Sequence, residues 1–160
     1  MMFDIGEEGV EKGKALIKEQ GLVNTSAEVA DGCNLPADWS DRFDVYTTWD
    51  VVHDVPNAKK FVREVYRVLK PGGLFLMVDV RAHSSAAENI RQKSVMTYGF
   101  SVFHCLPVST FFEGSEALGT AWGVEKQAQY LQEAGFEGVK EVVPGLHGDF
   151  CSYFVGYKPT

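Results

Sequence analysis

Four aspartates close four short runs of strand-favouring residues. Asp4 follows Met-Met-Phe, Asp31 follows Glu-Val-Ala, Asp50 follows Tyr-Thr-Thr-Trp, and Asp79, with Arg81 just beyond it, follows Leu-Phe-Leu-Met-Val. A carboxylate accepts hydrogen bonds from hydroxyls and amines alike, so acids at successive strand ends suit a ligand with ribose hydroxyls and an exocyclic amine. Open parallel sheets bind ligands beyond the carboxyl ends of their strands, which is the edge these acids would share. Strand ends are also solvent-exposed places where acids are common, and that ordinary reading stands beside the functional one. If a bound nucleophile must lose a proton, a base is needed, and four histidines could supply one. His53 lies near the predicted ligand edge with Asp54 beside it in sequence, although adjacent residues on a helix do not face each other. His104 falls in the segment 84–121 that precedes the last helix. Each of the two is alternatively a locally bonded or buried imidazole, while His83 and His147 read as solvent-facing. No His, Asp or Glu cluster has metal-ligand spacing and no metal is expected.

The elements that must position these groups follow from period and punctuation. Glu7 to Gln20 reads as a helix on Val10, Leu16 and Ile17, with Gly21 at its end, and Ala27 to Ala30 as a short strand. Phe43 to Trp49, rich in β-branched and aromatic residues, reads as a buried strand. After Pro56, the residues Phe61, Val62, Val65, Val68 and Leu69 share one face of a 3.6-residue period, while Lys59, Lys60, Arg63, Glu64 and Arg67 take the other. Lys70 then places a cation in the last turn, Pro71 cannot continue a helix, and Gly72 and Gly73 permit the reversal into Leu74 to Val80. A helix that returns at once into a continuous apolar run describes the second half of a βαβ crossover into a parallel sheet covered on both faces. Val124, Ala128 and Leu131 mark a last helix with Gly135 as its cap. Strands at Val139 to Val143 and Cys151 to Tyr157, separated by Pro-Gly-Leu-His-Gly-Asp, read as an antiparallel pair.

At 160 residues and 45% hydrophobic, the chain has the content of one globular domain, residues 1–160, with a substantial core. A formal charge of −7 without a basic run argues against nucleic acid or an anionic membrane as partner. No run reaches the length of a membrane span and the start lacks a signal pattern, so the cytoplasm is the expected compartment. Cys33, Cys105 and Cys151 contain no Cys-x-x-Cys and read as reduced, buried thiols. Tyr98, Phe100, Phe103, Phe111 and Phe112 make the 84–121 insertion aromatic, which suits either ordinary core or a pocket for an apolar or planar substrate.

Residues 41–80, DRFDVYTTWDVVHDVPNAKKFVREVYRVLKPGGLFLMVDV, resemble the fourth-to-fifth-strand segment of class I S-adenosylmethionine-dependent methyltransferases. In that family a helix ending in Arg-x-Leu-Lys-Pro-Gly-Gly leads into the fifth strand. FDIGEEGVEKGKAL resembles the family's second strand and following helix, and EVADGCNLP its third-strand motif. FHCLPVS, EGSEALGTAWG, AGFEGV and FCSYFVGYKP resemble a small-molecule branch whose bacterial members often carry an N-terminal winged helix. The resemblance implies a Rossmann-like three-layer α/β fold, mostly parallel, with a C-terminal antiparallel pair. It implies S-adenosylmethionine as cofactor and a small molecule as substrate, with 84–121 as the substrate cover. Carried over by position, Asp4 would accept the ribose hydroxyls and Asp31 the adenine amine, with the Gly32 and Cys33 backbone beside the ring. Trp49 and Asp50 would line the methionine end, and His53 or His104 would serve as base. Cys33 and Trp49 are alternatively packing residues.

One departure is large. The family's first strand ends in a glycine-rich loop that lets the backbone approach the cofactor, and this sequence starts, by the resemblance, inside the second strand. It reads as an N-terminally shortened, truncated member without that central strand, whose neighbours must pair directly or be bridged by another segment or chain. The expected function is methyl transfer to a small molecule, or else a non-catalytic binding or regulatory role. The sequence leaves the oligomeric state open, a homodimer included. Tyr66 and Lys70 also form the Tyr-x-x-x-Lys of short-chain dehydrogenases, but no serine stands about a dozen residues upstream and that family's glycine loop is missing too.

Overall fold

The computed structural model of the protein describes residues 1–90, 95–111, 113–142 and 150–160. Phe112, Val143, His147 and the 144–149 link fall outside the described residues. In chain order the elements are β1 (Met2–Asp4), α1 (Glu7–Glu19), β2 (Ala27–Val29), β3 (Phe43–Trp49), α2 (Ala58–Val68), β4 (Leu69–Val80) and α3 (Ala86–Asn89). There follow α4 (Val95–Phe100), a π-helical turn at Ser101–Cys105, α5 (Leu106–Thr110), α6 (Val124–Glu133), β5 (Glu137–Glu141) and β6 (Cys151–Tyr157). Among the described residues no helix is long and apolar enough to cross a membrane.

The strands form two sheets, β1-β2 and β3-β4-β6-β5. β1 and β2 pair in parallel, as do β3 and β4, and β6 is antiparallel to both β4 and β5. Both faces of β1 are packed, since neighbouring residues of a strand point opposite ways. Phe3 packs edge-on against Trp39 and Tyr46 on the α2 side, whereas Met2 lies against α1 at Gly13. The architecture is the mostly parallel, Rossmann-like α/β arrangement with a C-terminal antiparallel pair. β1 and β3 do not pair with each other, and among the described residues no strand occupies the edge of β3 away from β4.

The main core sits between the four-stranded sheet and helices α2 and α6. Phe75 and Met77 of β4 are wholly buried there against Phe61, Val62 and Val65 of α2 and Leu131 of α6. On the opposite face Val78 packs with Cys151 and Tyr153. β3 is less enclosed than a continuous apolar strand suggests: Tyr46 and Thr48 are buried, but Val45 on the other face is 54% exposed. The physical reason is its position at a sheet edge whose outer side carries no described strand.

The helix-to-strand junction also differs from the sequence reading. Asn57 caps α2 by accepting from the Lys60 amide at 2.8 Å, yet the helix stops at Val68, and Leu69 is already extended. Proline disfavours helical backbone at the residue before it, so Lys70 cannot sit in a last helical turn ahead of Pro71. Leu69 instead pairs with Phe43 and Leu74 with Val45, and residues 70–73 bulge out between them. Gly72 takes φ +78°, and the bulge is strapped by Gly72 N–H donating to Lys158 O at 2.8 Å and Lys158 N–H donating to Gly73 O at 2.9 Å.

Met77→Ala removes a wholly buried side chain from the best-packed strand. We expect a loss of about 2 to 5 kcal/mol in urea-melt stability, with the far-ultraviolet spectrum unchanged before the transition.

Candidate functional site

A cavity of about 970 Å³ opens between β1 and β3. Its wall includes Asp4 at the end of β1, Asp31, Gly32 and Cys33 just after β2, and Trp49 and Asp50 at the end of β3. All six residues that the sequence pointed to as ligand contacts therefore border one space, although they come from three strand ends. Asp54, Asn57, Lys60 and Phe61 continue the wall, and Val108, Glu113 and Gly114 reach it from the 84–121 insertion.

Local structure fixes the acids on the β1-β2 side. Asp4 Oδ1 accepts from the Gly6 amide at 2.7 Å, and Asp31 Oδ1 accepts from the Cys33 amide at 2.8 Å. These are short Asx-type turns that hold each carboxylate while its other oxygen can still accept. Glycine at 32 is demanded by packing: a Cβ there would lie 2.3 Å from a ring carbon of Phe61. Cys33 is half-buried, and burial, then the charge of Asp31, pushes its thiol up.

On the β3 side Trp49 packs edge-on against Tyr153 at 6.0 Å. Asp50 adopts φ +57°, a left-handed conformation that aspartate tolerates better than most residues but that still departs from ordinary backbone. Its amide donates to Val78 O at 2.9 Å, so the turn leaves directly from the ladder. Burial raises the Asp50 carboxyl, opposed by His53 and reinforced by Asp79 and Asp54.

His53 is 2% exposed and stands behind this wall without bordering the cavity. Its Nδ1 meets Asp79 Oδ1 at 2.7 Å, and its Nε2 lies 3.3 Å from Asp54 Oδ1. The helical spacing argument against a His53–Asp54 contact does not apply, because residues 51–57 form turns before α2 begins. Burial alone would lower the imidazole, but the hydrogen bond and charge of Asp79, then Asp54 and Asp50, outweigh it and raise it. Asp79 is wholly buried and also accepts from the Val80 amide at 2.7 Å. Ser152 of β6 donates to the Asp79 carbonyl at 3.2 Å, and Gln127 of α6 donates to the Val80 carbonyl at 3.0 Å. The buried His53–Asp79 pair was not legible as a pair, since it joins residues from two separate strand ends.

His104 is exposed on the π-helical turn and does not border the cavity. His83 pairs with Glu125 at 3.0 Å and His147 lies outside the described residues. Phe100 and Phe111 are exposed and Phe103 is 86% exposed, so these aromatics of the insertion are not core. Tyr66 and Lys70 sit away from the cavity, with Tyr66 against Phe136 and Lys70 paired to Asp44 at 2.8 Å. The fold does gather ligand-type side chains that spacing kept apart, among them His53, Asp54 and Cys105.

The family model described as a methyltransferase domain matches residues 1–135. The demethylmenaquinone methyltransferase of Listeria welshimeri is 28% identical over 88% of this chain and 60% of its own length. The mitochondrial 2-methoxy-6-polyprenyl-1,4-benzoquinol methylase of Rattus norvegicus is 33% identical over 84% of this chain and 37% of its own length. The chain thus spans about 60% or less of these curated relatives. A solved O-methyltransferase family protein from Burkholderia thailandensis superimposes with a TM-score of 0.69 at 15% identity, over 99% of this chain and 43% of that one. At that identity the likeness shows the fold.

The raised imidazole has a signed consequence. A histidine whose folded pKa exceeds its unfolded value stabilises fully below the unfolded value, near 6.5, and loses that contribution as pH rises through the folded one. Stability in urea melts should therefore fall as pH climbs from 6 through the raised imidazole value, and His53→Gln should lose that part of the slope. Asp79→Ala, which strips a buried pair of one partner, should cost about 3 to 5 kcal/mol at pH 6.

Proposed function

Because the chain belongs to the methyltransferase-domain family whose model spans residues 1–135, we propose that it is an S-adenosylmethionine-dependent methyltransferase acting on a small molecule. One observation carries the reading: Asp4, Asp31, Gly32, Cys33, Trp49 and Asp50 converge on a single cavity from three strand ends. The donor set fits the nucleoside half of that cofactor. Asp4 and Asp31 each have one oxygen committed to a local turn and offer the other to hydroxyl and amine donors. The glycine at 32 keeps the backbone beside the cavity flat against Phe61. When bound, S-adenosylmethionine supplies an electrophilic methyl group on a sulfonium.

The chain's own residues bind, orient and manage charge. Asp4 and Asp31 fix the nucleoside, and Trp49 and Asp50 border the reacting end. Besides Asp4 and Asp31, the carboxylates that border the cavity are Asp50, Asp54 and Glu113. His53 acts on that space through Asp50 and Asp54, while His104 would need the insertion to move before serving as a base. The substrate in this reading is an apolar, ring-bearing molecule. The exposed aromatics of the insertion support it, as does Val108 on the cavity wall, and two of the relatives carry the names demethylmenaquinone methyltransferase and 2-methoxy-6-polyprenyl-1,4-benzoquinol methylase. The chain acts as one domain in the cytoplasm, in keeping with three unpaired thiols.

A thermal melt with and without S-adenosylhomocysteine tests the cofactor reading. At a hundred times its dissociation constant a ligand stabilises by about 2.7 kcal/mol, a rise of roughly 5 to 10 °C for a domain of this size. An unmoved melting temperature at millimolar ligand would remove the cofactor assignment. Asp4→Ala should weaken cofactor binding by about 1.5 to 3 kcal/mol through loss of a charged hydrogen bond, measured by calorimetry, and unchanged affinity would remove Asp4 from the site.

A further inference from the structure

His53 is enclosed by acidic groups from several elements. Its own loop contributes Asp50, 3.7 Å from Nδ1, and Asp54, 3.3 Å from Nε2, and the end of β4 contributes Asp79 at 2.7 Å. The π-helical turn adds the Cys105 thiol beside Asp54, and β6 adds Cys151 near Asp50 and Asp79. Among the described residues no lysine or arginine forms an ion pair with any of the three carboxylates. With all three carboxylates ionised, the cluster carries more negative than positive charge even when the imidazole is protonated. Among the described residues the buried Asp79 Oδ2 has no hydrogen-bond partner. The excess charge lies where Asp50 and Asp54 border the cavity.

We propose that His53 is a positioning residue: held as an imidazolium by Asp79, it keeps the 50–54 turn in place and the Asp50 carboxylate ionised at the cavity wall, so that the cavity favours a sulfonium over a neutral thioether. This rests on the cofactor reading above. Transfer of the methyl group leaves the S–C electron pair on sulfur, and the positive charge passes to the acceptor, which sheds it as a proton. A wall that attracts the cation and is indifferent to the thioether would select the reactive form and loosen its hold after transfer. Asp50 borders the cavity from a left-handed backbone, the kind of strained conformation that collects at functional sites. A purely structural strut between β3 and β4 would not link His53 to ligand charge.

The test measures dissociation constants of S-adenosylmethionine and S-adenosylhomocysteine by calorimetry from pH 5 to 8.5, for the wild-type chain, Asp50→Asn and His53→Gln. At pH 8 the wild type should prefer the sulfonium by roughly twofold to fivefold more than Asp50→Asn does, the scale of a partly exposed ion pair. That preference should fade as pH falls and Asp50 takes up a proton. In His53→Gln the fading should begin at higher pH, because the cation that opposes Asp50 protonation is gone, and in Asp50→Asn it should be absent. A His53→Gln ratio equal to wild type at every pH overturns the proposal while leaving the cofactor reading intact. Binding of neither compound overturns the cofactor reading and this proposal with it. Nitrogen-15 spectra of the wild-type imidazole need no variant and stand even if His53→Gln fails to fold. A doubly protonated ring at pH 7 supports the proposal, and a neutral one overturns it.

Discussion

Strand β4 is bonded along both edges, to β3 from Val45 through Trp49 and to β6 from Tyr157 back to Cys151. That double pairing fixes the level at which each strand ends. Trp49 stands opposite Val78, so the Asp50 turn leaves the sheet beside Asp79, and the imidazole of His53 has only to fold back over the step to meet it. A one-residue slip in this register would turn Phe75 and Met77 out of the core and point Asp79 to the other face. Core packing and site geometry are therefore held by the same ladder, and the buried burden of α2 and α6 against Phe75 and Met77 protects the polar contacts at the strand ends.

The two sheets are joined chiefly by side chains. Phe3 reaches across to Trp39 and Tyr46, and Trp39 in turn packs on Phe43. Glu64 and Arg67 of α2 tie down the chain between β2 and β3, with Glu64 accepting from the Leu35 amide and Arg67 donating to the Leu35 carbonyl, both at 2.9 Å. The Arg67 hydrogen bond holds the Glu64 carboxyl below its usual range, which keeps the bridge ionised. This arrangement brings the ends of β1 and β2 to the same side as the end of β3 without a shared ladder, and leaves between them the space that the six candidate residues border.

The site's electrostatics depend on burial as much as on charge. Partial burial raises Asp50, and His53 is raised in spite of its much deeper burial, because the three carboxylates close by outweigh it. The same low dielectric that makes the His53–Asp79 contact strong makes any lost partner costly. Such a cluster is stable only as a unit, which ties the integrity of the cavity wall to the seating of β4.

Local signals carried much of the architecture. The apolar face of α2, the Pro-Gly-Gly break, the β-branched run of β3 and the apolar run of β4 are properties of a few neighbouring residues, and each marks its element in the sequence. Resemblance to a methyltransferase then named Asp4, Asp31, Gly32, Cys33, Trp49 and Asp50 as one set, and the fold brings all six to one cavity. What the chain could not show by itself is long-range. The contact of His53 with Asp79 joins two strand ends through register, the exposure of Phe103 and Phe111 depends on what does not cover them, and the half-open face of β3 depends on its rank in the sheet. Composition, period and punctuation determine which elements form, because those are decided by backbone sterics and by apolar spacing along a few turns. Which side chains meet, and which carboxylates must share one imidazole, is decided only when pairing and packing fix distances between parts of the chain that the sequence keeps apart.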